Sequence, residues 1–366
     1  MNFRIGKQAF LKELGLVQGV VEKKSTIPIL VNLLIEARDG GIEIRATDLD
    51  LSITSFCEAE VLQPGALCIP AKKLFEIVRA LPEAEVELKR GEREQVTLTC
   101  ERSRFRLNGV ATENFPEIKA IPDGALSFPA PIFRTLIGRT IFASSTEESR
   151  FTLNGAKLEM GEEGIRVVAT DGHRLAFIEK KMPITGQPLD LLVPKKALAE
   201  LSRLSAEADD LLEVAFHQNL LFFRLGNRVL TSRTLTGQFP NYEMVLPKEN
   251  HHSFVVESSR LAGALRRIAL VADDRSHAIK FELLKDLVQI TATTAEVGDG
   301  VEQLTVEYEG PAITIGFNVQ YLLDFLSVIN EGDIRLEFKD GSSQVQLRPH
   351  QEIDFDYRYI VMPLRV

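Results

Sequence analysis

The stretch from Ala169 to Ala176 reads Ala-Thr-Asp-Gly-His-Arg-Leu-Ala and places Asp171, His173 and Arg174 between two apolar runs. A carboxylate and an imidazole this close can work as an acid–base pair. An enzyme built on them would act on a phosphate substrate through Asp171 and His173. The rest of the chain offers that pair no support. There is no Gly-x-Ser-x-Gly, no Walker loop, no His-Glu-x-x-His and no Cys-x-x-Cys. The six histidines are scattered, and His251 and His252 fall in a linker-like stretch. Cys57, Cys68 and Cys100 have no metal spacing. No catalytic residue, bound metal or cofactor is therefore expected.

The elements that carry the stretch belong to a repeat. Ala-Thr recurs at Ala46-Thr47, Ala169-Thr170 and Ala292-Thr293, and the threonines lie 123 residues apart each time. Each copy is followed by an apolar strand and a helix, in segments 66–82, 190–205 and 312–329. The junctions fall at Pro70, Pro194 and Asn318. Proline suits the start of a helix and Asn is a good N-cap. Each copy is preceded by an amphipathic helix, over 6–24, 131–144 and 257–271, with apolar residues three and four apart. Segments 96–109, 220–235 and 334–348 alternate with period two and read as strands and hairpins. Stretches 120–131 and 246–253 look like linkers. The fold class is α+β, with three repeated domains at 1–121, 122–247 and 248–366, each with two helices and antiparallel sheets.

The charge is unevenly spread. The chain carries a net charge of -9, which by itself argues against a nucleic-acid partner. Yet five of the six helical segments have more Lys and Arg than Asp and Glu, and only 319–329, with Asp324, does not. Basic helices at equivalent places in an acidic chain imply one positive surface facing a polyanion. No helix-turn-helix, zinc-finger or aromatic RNA-binding pattern accompanies them, so contact is expected with phosphates and not bases. The absence of a long apolar N-terminal core and of any eighteen-residue apolar run, with an odd cysteine count, points to a cytoplasmic protein without membrane spans.

Several stretches together resemble the beta subunit family of bacterial DNA polymerase III, the sliding clamps. They are 26–30 (TIPIL), 69–82 (IPAKKLFEIVRALP), 103–109 (SRFRLNG), 150–155 (RFTLNG), 169–176 (ATDGHRLA), 239–247 (FPNYEMVLP), 315–324 (IGFNVQYLLD) and 359–366 (YIVMPLRV). The resemblance spans the whole chain. It implies a half-ring of three similar domains. Two chains would close head to tail, helices lining a hole for duplex DNA and strands outside. It also implies a non-catalytic processivity factor.

The resemblance places Lys24, Lys72, Arg79, Lys195, Lys196 and Arg203 towards DNA, and the helix charges add Arg266 and Arg267. After Arg150 stand Phe151 and Thr152, where the family often has two aromatics. Glu147 also stands where a neutral or basic side chain is expected, so no DNA contact is assigned to that loop. The dimer boundary would join the strand bearing Arg102, Arg104, Phe105 and Leu107 to Leu270 and Val271. Glu296, Asp299 and Glu302 would pair there with Lys73 and the arginines. The apolar tail would pack beside the Gly-His-Arg-Leu segment. A groove would then form from Leu153, Thr170, Gly172, His173, Arg174, Leu175, Pro240 and Val245 with Ile360, Val361, Met362, Pro363 and Leu364, extended by Tyr321. Such a patch suits short hydrophobic motifs of polymerase III alpha subunit, clamp loader and repair proteins.

Overall fold

The computed structural model describes residues 1–22, 26–184, 187–205, 211–329, 331–351 and 354–365, and the backbone alone of Glu148. Among the described residues there are six α-helices: α1 (Lys7–Gln18), α2 (Ala71–Ala80), α3 (Ala130–Gly138), α4 (Lys195–Leu204), α5 (Ser258–Ile268) and α6 (Val319–Ile329). Two fall in each third of the chain, at the expected places. The junction residues behave as their types dictate. Pro70 ends a strand and caps α2, and Asn318 accepts the Gln320 N–H at 2.9 Å with its side-chain oxygen. The helices bury one stripe each; in α2 it is Ala71, Leu74 and Val78, and in α5 Leu261, Ala264, Leu265 and Ile268.

Two expectations need correction. The first helix stops at Gln18, short of residue 24, and Lys24 lies outside the described residues. The proposed linkers are narrower than expected. Within 120–131, Leu126–Pro129 is a strand paired with Leu211–His217, followed directly by α3, and strand His252–Glu257 begins inside 246–253. Pro129 and Pro131 read as linker residues because proline breaks ladders; here they sit at a strand end and in a first helical turn, where no N–H is needed.

The chain forms two compact units, Met1–Arg134 with Lys196–Thr234, and Thr135–Lys195 with Leu235–Val366. The middle third thus contributes to both. The first unit holds a five-stranded sheet and an eight-stranded sheet. Four strands of the latter come from the first third and four from the middle third, and they meet where Leu51–Glu58 pairs antiparallel with Arg228–Arg233. The second unit holds another eight-stranded sheet, joined where Arg174–Lys181 pairs with Asp356–Val361, and a four-stranded sheet. The two joins follow one rule: the strand after the Ala-Thr turn pairs with the last strand of the next third. Applied again, the rule leaves two strands each with a neighbour on one side only. These are the edge strand Ser103–Asn108, which ends the first third, and the edge strand Gly298–Thr305, which follows the third Ala-Thr.

A buried ion pair lies in the first unit. Glu13 of α1 is 5% exposed. Its carboxylate accepts from Arg228 Nε at 2.9 Å and Nη2 at 2.5 Å, and from Ser55 Oγ at 2.5 Å. Those bonds offset the cost of burying the charge.

Candidate functional site: an apolar groove and two charged faces

The Thr-Asp turns of the first and middle thirds have the same hydrogen bonding. Asp48 Oδ1 accepts the N–H groups of Asp50 and Leu51 at 3.0 and 2.7 Å, and Thr47 Oγ1 accepts that of Leu49 at 3.0 Å. Asp171 Oδ1 accepts those of His173 and Arg174 at 2.9 and 3.1 Å, and Thr170 Oγ1 that of Gly172 at 3.0 Å. The central residue has positive φ in both, Leu49 at 83° and Gly172 at 91°. Glycine adopts that conformation freely. Asp171 is thus the side chain that shapes the turn. Its other oxygen accepts from Arg174 Nε at 3.0 Å, and it meets His173 only at the backbone. The imidazole of His173 is exposed and makes no hydrogen bond among the described residues. The geometry therefore supplies no Asp–His acid–base pair.

Arg174 is held from four sides. Beyond Asp171 it donates to Asp324 at 2.5 Å and to the Phe142 carbonyl at 3.1 Å, and its guanidinium lies 4.5 Å from the Tyr321 ring centre. Burial opposes its charge, but Tyr359, Asp324 and Asp171 more than offset that and raise its pKa. This cluster fixes α6, carrying Tyr321 and Asp324, to the turn. Tyr359 completes it, its ring stacked 4.9 Å from Phe325 and its hydroxyl donating to the Tyr321 carbonyl.

The groove residues do come together. Leu175 pairs across the ladder with Ile360, and Arg174 with Val361. Met362 N–H donates to the His173 carbonyl, and Leu364 N–H to that of Gly316, so the tail is pinned beyond the strand. Leu153, Leu175 and Ile360 share one buried cluster with Val168, Phe177, Leu192, Phe239 and Tyr242, against which Val245 and Leu246 pack. Leu175 and Val361 are thus floor more than contact surface, at 3% and 0% exposure. The accessible rim is Met362, Pro240, Gly172 and His173, with half-buried Tyr321, Val245, Pro363 and Leu364, and largely buried Thr170. The sequence reasoning missed Phe177, Phe239, Tyr242 and the exposed Met244. Strand alternation from Leu175 was the available signal for Phe177. The Tyr242 hydroxyl donates to Glu159 at 2.8 Å and accepts from Arg166. Burial first, then Glu159, pushes its pKa up to about 12, so it stays a neutral donor.

The basic residues divide. Lys72, Lys73 and Arg79 are exposed on α2, opposite its buried stripe; Lys72 and Lys73 share Glu76, and Arg79 lies over the Phe75 ring. Arg266 is exposed on α5. Lys196 is bridged to Asp48, and Arg203 to Glu200 at 2.8 Å and the Gly15 carbonyl at 3.0 Å. Two expectations change. Lys195 is half-buried with its amine on the Ser144 carbonyl, and burial and then the Arg174 charge lower its pKa. Arg267 is held in two hydrogen bonds of 2.7 Å by Glu302, which occupies both members of the two predicted charge sets. Glu147 likewise turns to Arg150, at 3.1 Å.

At the two free edges, Phe105, Leu270 and Val301 are 40%, 78% and 55% exposed. Leu107 and Val271 are half-buried, and Arg102, Arg104, Glu296 and Asp299 are exposed. Val301 was not foreseen from the sequence; a lone valine among acids carries little local signal.

Repeated antiparallel sheets with two helices per third, joined by one pairing rule, define the clamp class of folds. Family models of the DNA polymerase III beta subunit match along the chain, the N-terminal domain at 1–119, the central domain at 128–241 and the C-terminal domain at 243–365. The beta sliding clamp of Pseudomonas putida is 34% identical and that of Escherichia coli K12 is 32% identical, each over all of both chains. Among solved structures, the Pseudomonas aeruginosa DnaN sliding clamp bound to griselimycin superimposes with a TM-score of 0.93 at 34% identity, covering all of both chains. The Bacillus subtilis DNA polymerase sliding clamp does so with a TM-score of 0.93 at 27% identity, over all of this chain and 99% of that one. The chain belongs to the DNA polymerase III beta subunit family, the beta sliding clamps.

Proposed function

We propose that the protein is a non-catalytic DNA sliding clamp of the cytoplasm. Two copies close head to tail around duplex DNA and tether polymerase III alpha subunit, clamp loader and repair proteins through short hydrophobic motifs. The observation that carries the ring is the pair of unsatisfied edges. Ser103–Asn108 and Gly298–Thr305 are the two strands that the pairing rule leaves over. An exposed edge is a template for another chain. If the edge of one copy takes the complementary edge of the next, the interface is heterologous and two copies can close it. Phe105, Leu107, Leu270, Val271 and Val301 then lose their solvent exposure. Lys73, Arg102, Arg104, Glu296 and Asp299 form its charged rim.

Lys72, Arg79, Lys196, Arg203 and Arg266 are the DNA-facing cations in this reading, and Lys24 joins them by position in the sequence. Contacts to phosphate alone give binding that is blind to sequence and steeply salt-dependent. A closed ring needs little affinity per phosphate, and weak contacts permit sliding. Partner motifs dock on the rim of the Leu175–Ile360 groove, where Met362 and Met244 can re-pack around different side chains.

The test is topological. Protein loaded on nicked circular DNA should stay bound through gel filtration and be lost once the DNA is linearised. Equal retention on linear DNA would overturn the ring. Phe105→Glu should turn the dimer into a monomer by analytical ultracentrifugation; an unchanged mass would remove the edge assignment.

A further inference from the structure

The groove does not end at Leu175. Side chains on one face of a strand recur every second residue, so Leu175, Phe177, Glu179 and Lys181 share a face. The partner strand sets Ile360, Arg358 and Asp356 beside the first three in register. Along this face lie two open cavities. One, of about 350 Å³, is lined by Phe177, Tyr242 and Leu246 of the groove cluster and by Arg358 and Lys248. The other, of about 710 Å³, is lined by Lys181, Arg335, Arg348 and His350. Glu179 and Asp356 line both, so the two form one trench leading away from the groove. Four strand residues, or about 13 Å, separate Leu175 from Glu179.

The charges in the trench are not balanced. Three of its acids are already bridged: Glu179 to Arg166, Asp356 to Arg358 and Asp354 to Lys180. Only Glu243 has no ion-pair partner among the described residues. On the cationic side Arg348 is bridged to Glu337. Lys181, Lys248 and Arg335 have no acidic partner among the described residues. Arg335 makes only long contacts of 3.4 Å, to Ser253 Oγ and His350 Nδ1. Within these two cavities three cations against one acid are left to meet a ligand; Glu162 and Glu163, also without an ion-pair partner among the described residues, line a third cavity that shares Arg166 and Glu179.

We infer that this trench receives an acidic flank of the same partner segment whose hydrophobic motif fills the groove, and so ranks partners that share the motif. The inference rests on the groove reading. Its occupant follows from continuity and charge: an extended chain leaving the groove past Phe177 reaches Lys248 and then Lys181 and Arg335 within about five residues. Because Lys181 and Lys248 are exposed and Arg335 is half-buried, the contribution is modest, screened by salt and dependent on the sign of the flank.

The test uses a fluorescein-labelled peptide, Ser-Leu-Leu-Phe-Ser, alone or extended at either terminus by four aspartates, four serines or four lysines. Binding to the full-length protein is read by anisotropy at low and high salt. The aspartate extension at one terminus should tighten binding about tenfold at low salt, the product of roughly threefold from each of two exposed ion pairs. That gain should vanish at high salt and be lost in Lys181→Glu and in Arg335→Glu, while the bare peptide binds both variants as it binds the parent. Lys248→Glu, at an exposed loop position, serves if Arg335→Glu does not fold. Equal affinity of the aspartate and serine peptides, or a gain that survives the charge reversals, would overturn the trench. A bare peptide that fails to bind while the aspartate peptide still binds and responds to the reversals would remove the groove and leave the trench. If neither peptide binds, both readings fall. Displacement by a single-stranded oligodeoxynucleotide with no response to the peptides would assign the trench to nucleic acid and overturn the proposal.

Discussion

Arg174 joins the turn of the middle third to α6, and its removal is a quantitative test of how the groove is held. Its side chain is 10% exposed, and that of Asp324, 2.5 Å away, is 26% exposed. In Arg174→Ala, Asp171 and Asp324 lose their cation and the Phe142 carbonyl loses a donor. Breaking a buried pair costs about 3–5 kcal/mol; the partial exposure of Asp324 lowers this to about 2–4 kcal/mol. For a unit in the 150–250-residue class, each kcal/mol moves Tm by about 2–4 °C, so a drop of roughly 4–16 °C is expected in the transition of the second unit. Asp324→Asn keeps the shape, removes one charge and should cost only about 1 kcal/mol. In the double variant the Asp324 carboxylate is absent and only Asp171 is left without its cation, and the cycle should return a coupling of about 1–2 kcal/mol. Scanning calorimetry of the four proteins at neutral pH gives the numbers, and anisotropy with a groove peptide gives the functional readout. Additive single effects would show that the contact is decorative. Unchanged peptide affinity in a destabilised Arg174→Ala would separate the cluster from the groove.

Removing residues 362–366 takes away Met362 but leaves the strand Asp356–Val361 and its ladder intact. Groove-peptide affinity should fall more than about tenfold with Tm nearly unchanged; normal binding by anisotropy would remove the tail from the groove. By contrast Leu175→Asp puts a charge at a site 3% exposed, so it should lower Tm by several degrees as well as abolish binding. Lys72→Glu with Arg266→Glu should reduce the salt slope of DNA binding by about one unit for each phosphate no longer neutralised. Lys195→Ala should leave the slope unchanged, because that amine is committed to the Ser144 carbonyl; a matched fall in slope would return Lys195 to the DNA face. Burial pushes the Cys57 thiol up to about 11 and Cys68 up to about 12. At pH 8 both therefore stay protonated and should resist Ellman's reagent until the protein is unfolded; fast reaction of the native protein would contradict the packing of the first unit.

The parts of this molecule that were legible in its sequence are those fixed by local physics. Helix periodicity, the capping at Asn318 and the repeated Ala-Thr dipeptide each depend on residues a few positions apart, and each was found where expected except that the first helix ends early, at Gln18. The edge character of the strand at Phe105 was implied by the family resemblance and not by its alternation, which sets Phe105 and Leu107 on one face and the arginines on the other. The errors share another cause: side-chain partners far away in sequence. Glu13 and Arg228 meet across 215 residues and Arg174 and Asp324 across 150. No periodicity announces such pairs. The same blindness makes Lys195 and Arg267 look like free cations, because a basic residue on an amphipathic helix looks unpartnered until a carbonyl or a glutamate from far along the chain is found beside it. Charge counted along helices therefore overstates the free positive surface. Of the eight cations assigned to DNA from sequence, Lys72, Arg79 and Arg266 are exposed with no hydrogen-bond or ion-pair partner from a distant part of the sequence among the described residues, and on these the electrostatic test depends most directly. Tethering by a closed ring can tolerate so few strong contacts, because topology and not phosphate affinity keeps the protein on its track. An open, non-encircling binder with the same face would need many more free cations to remain bound at physiological salt.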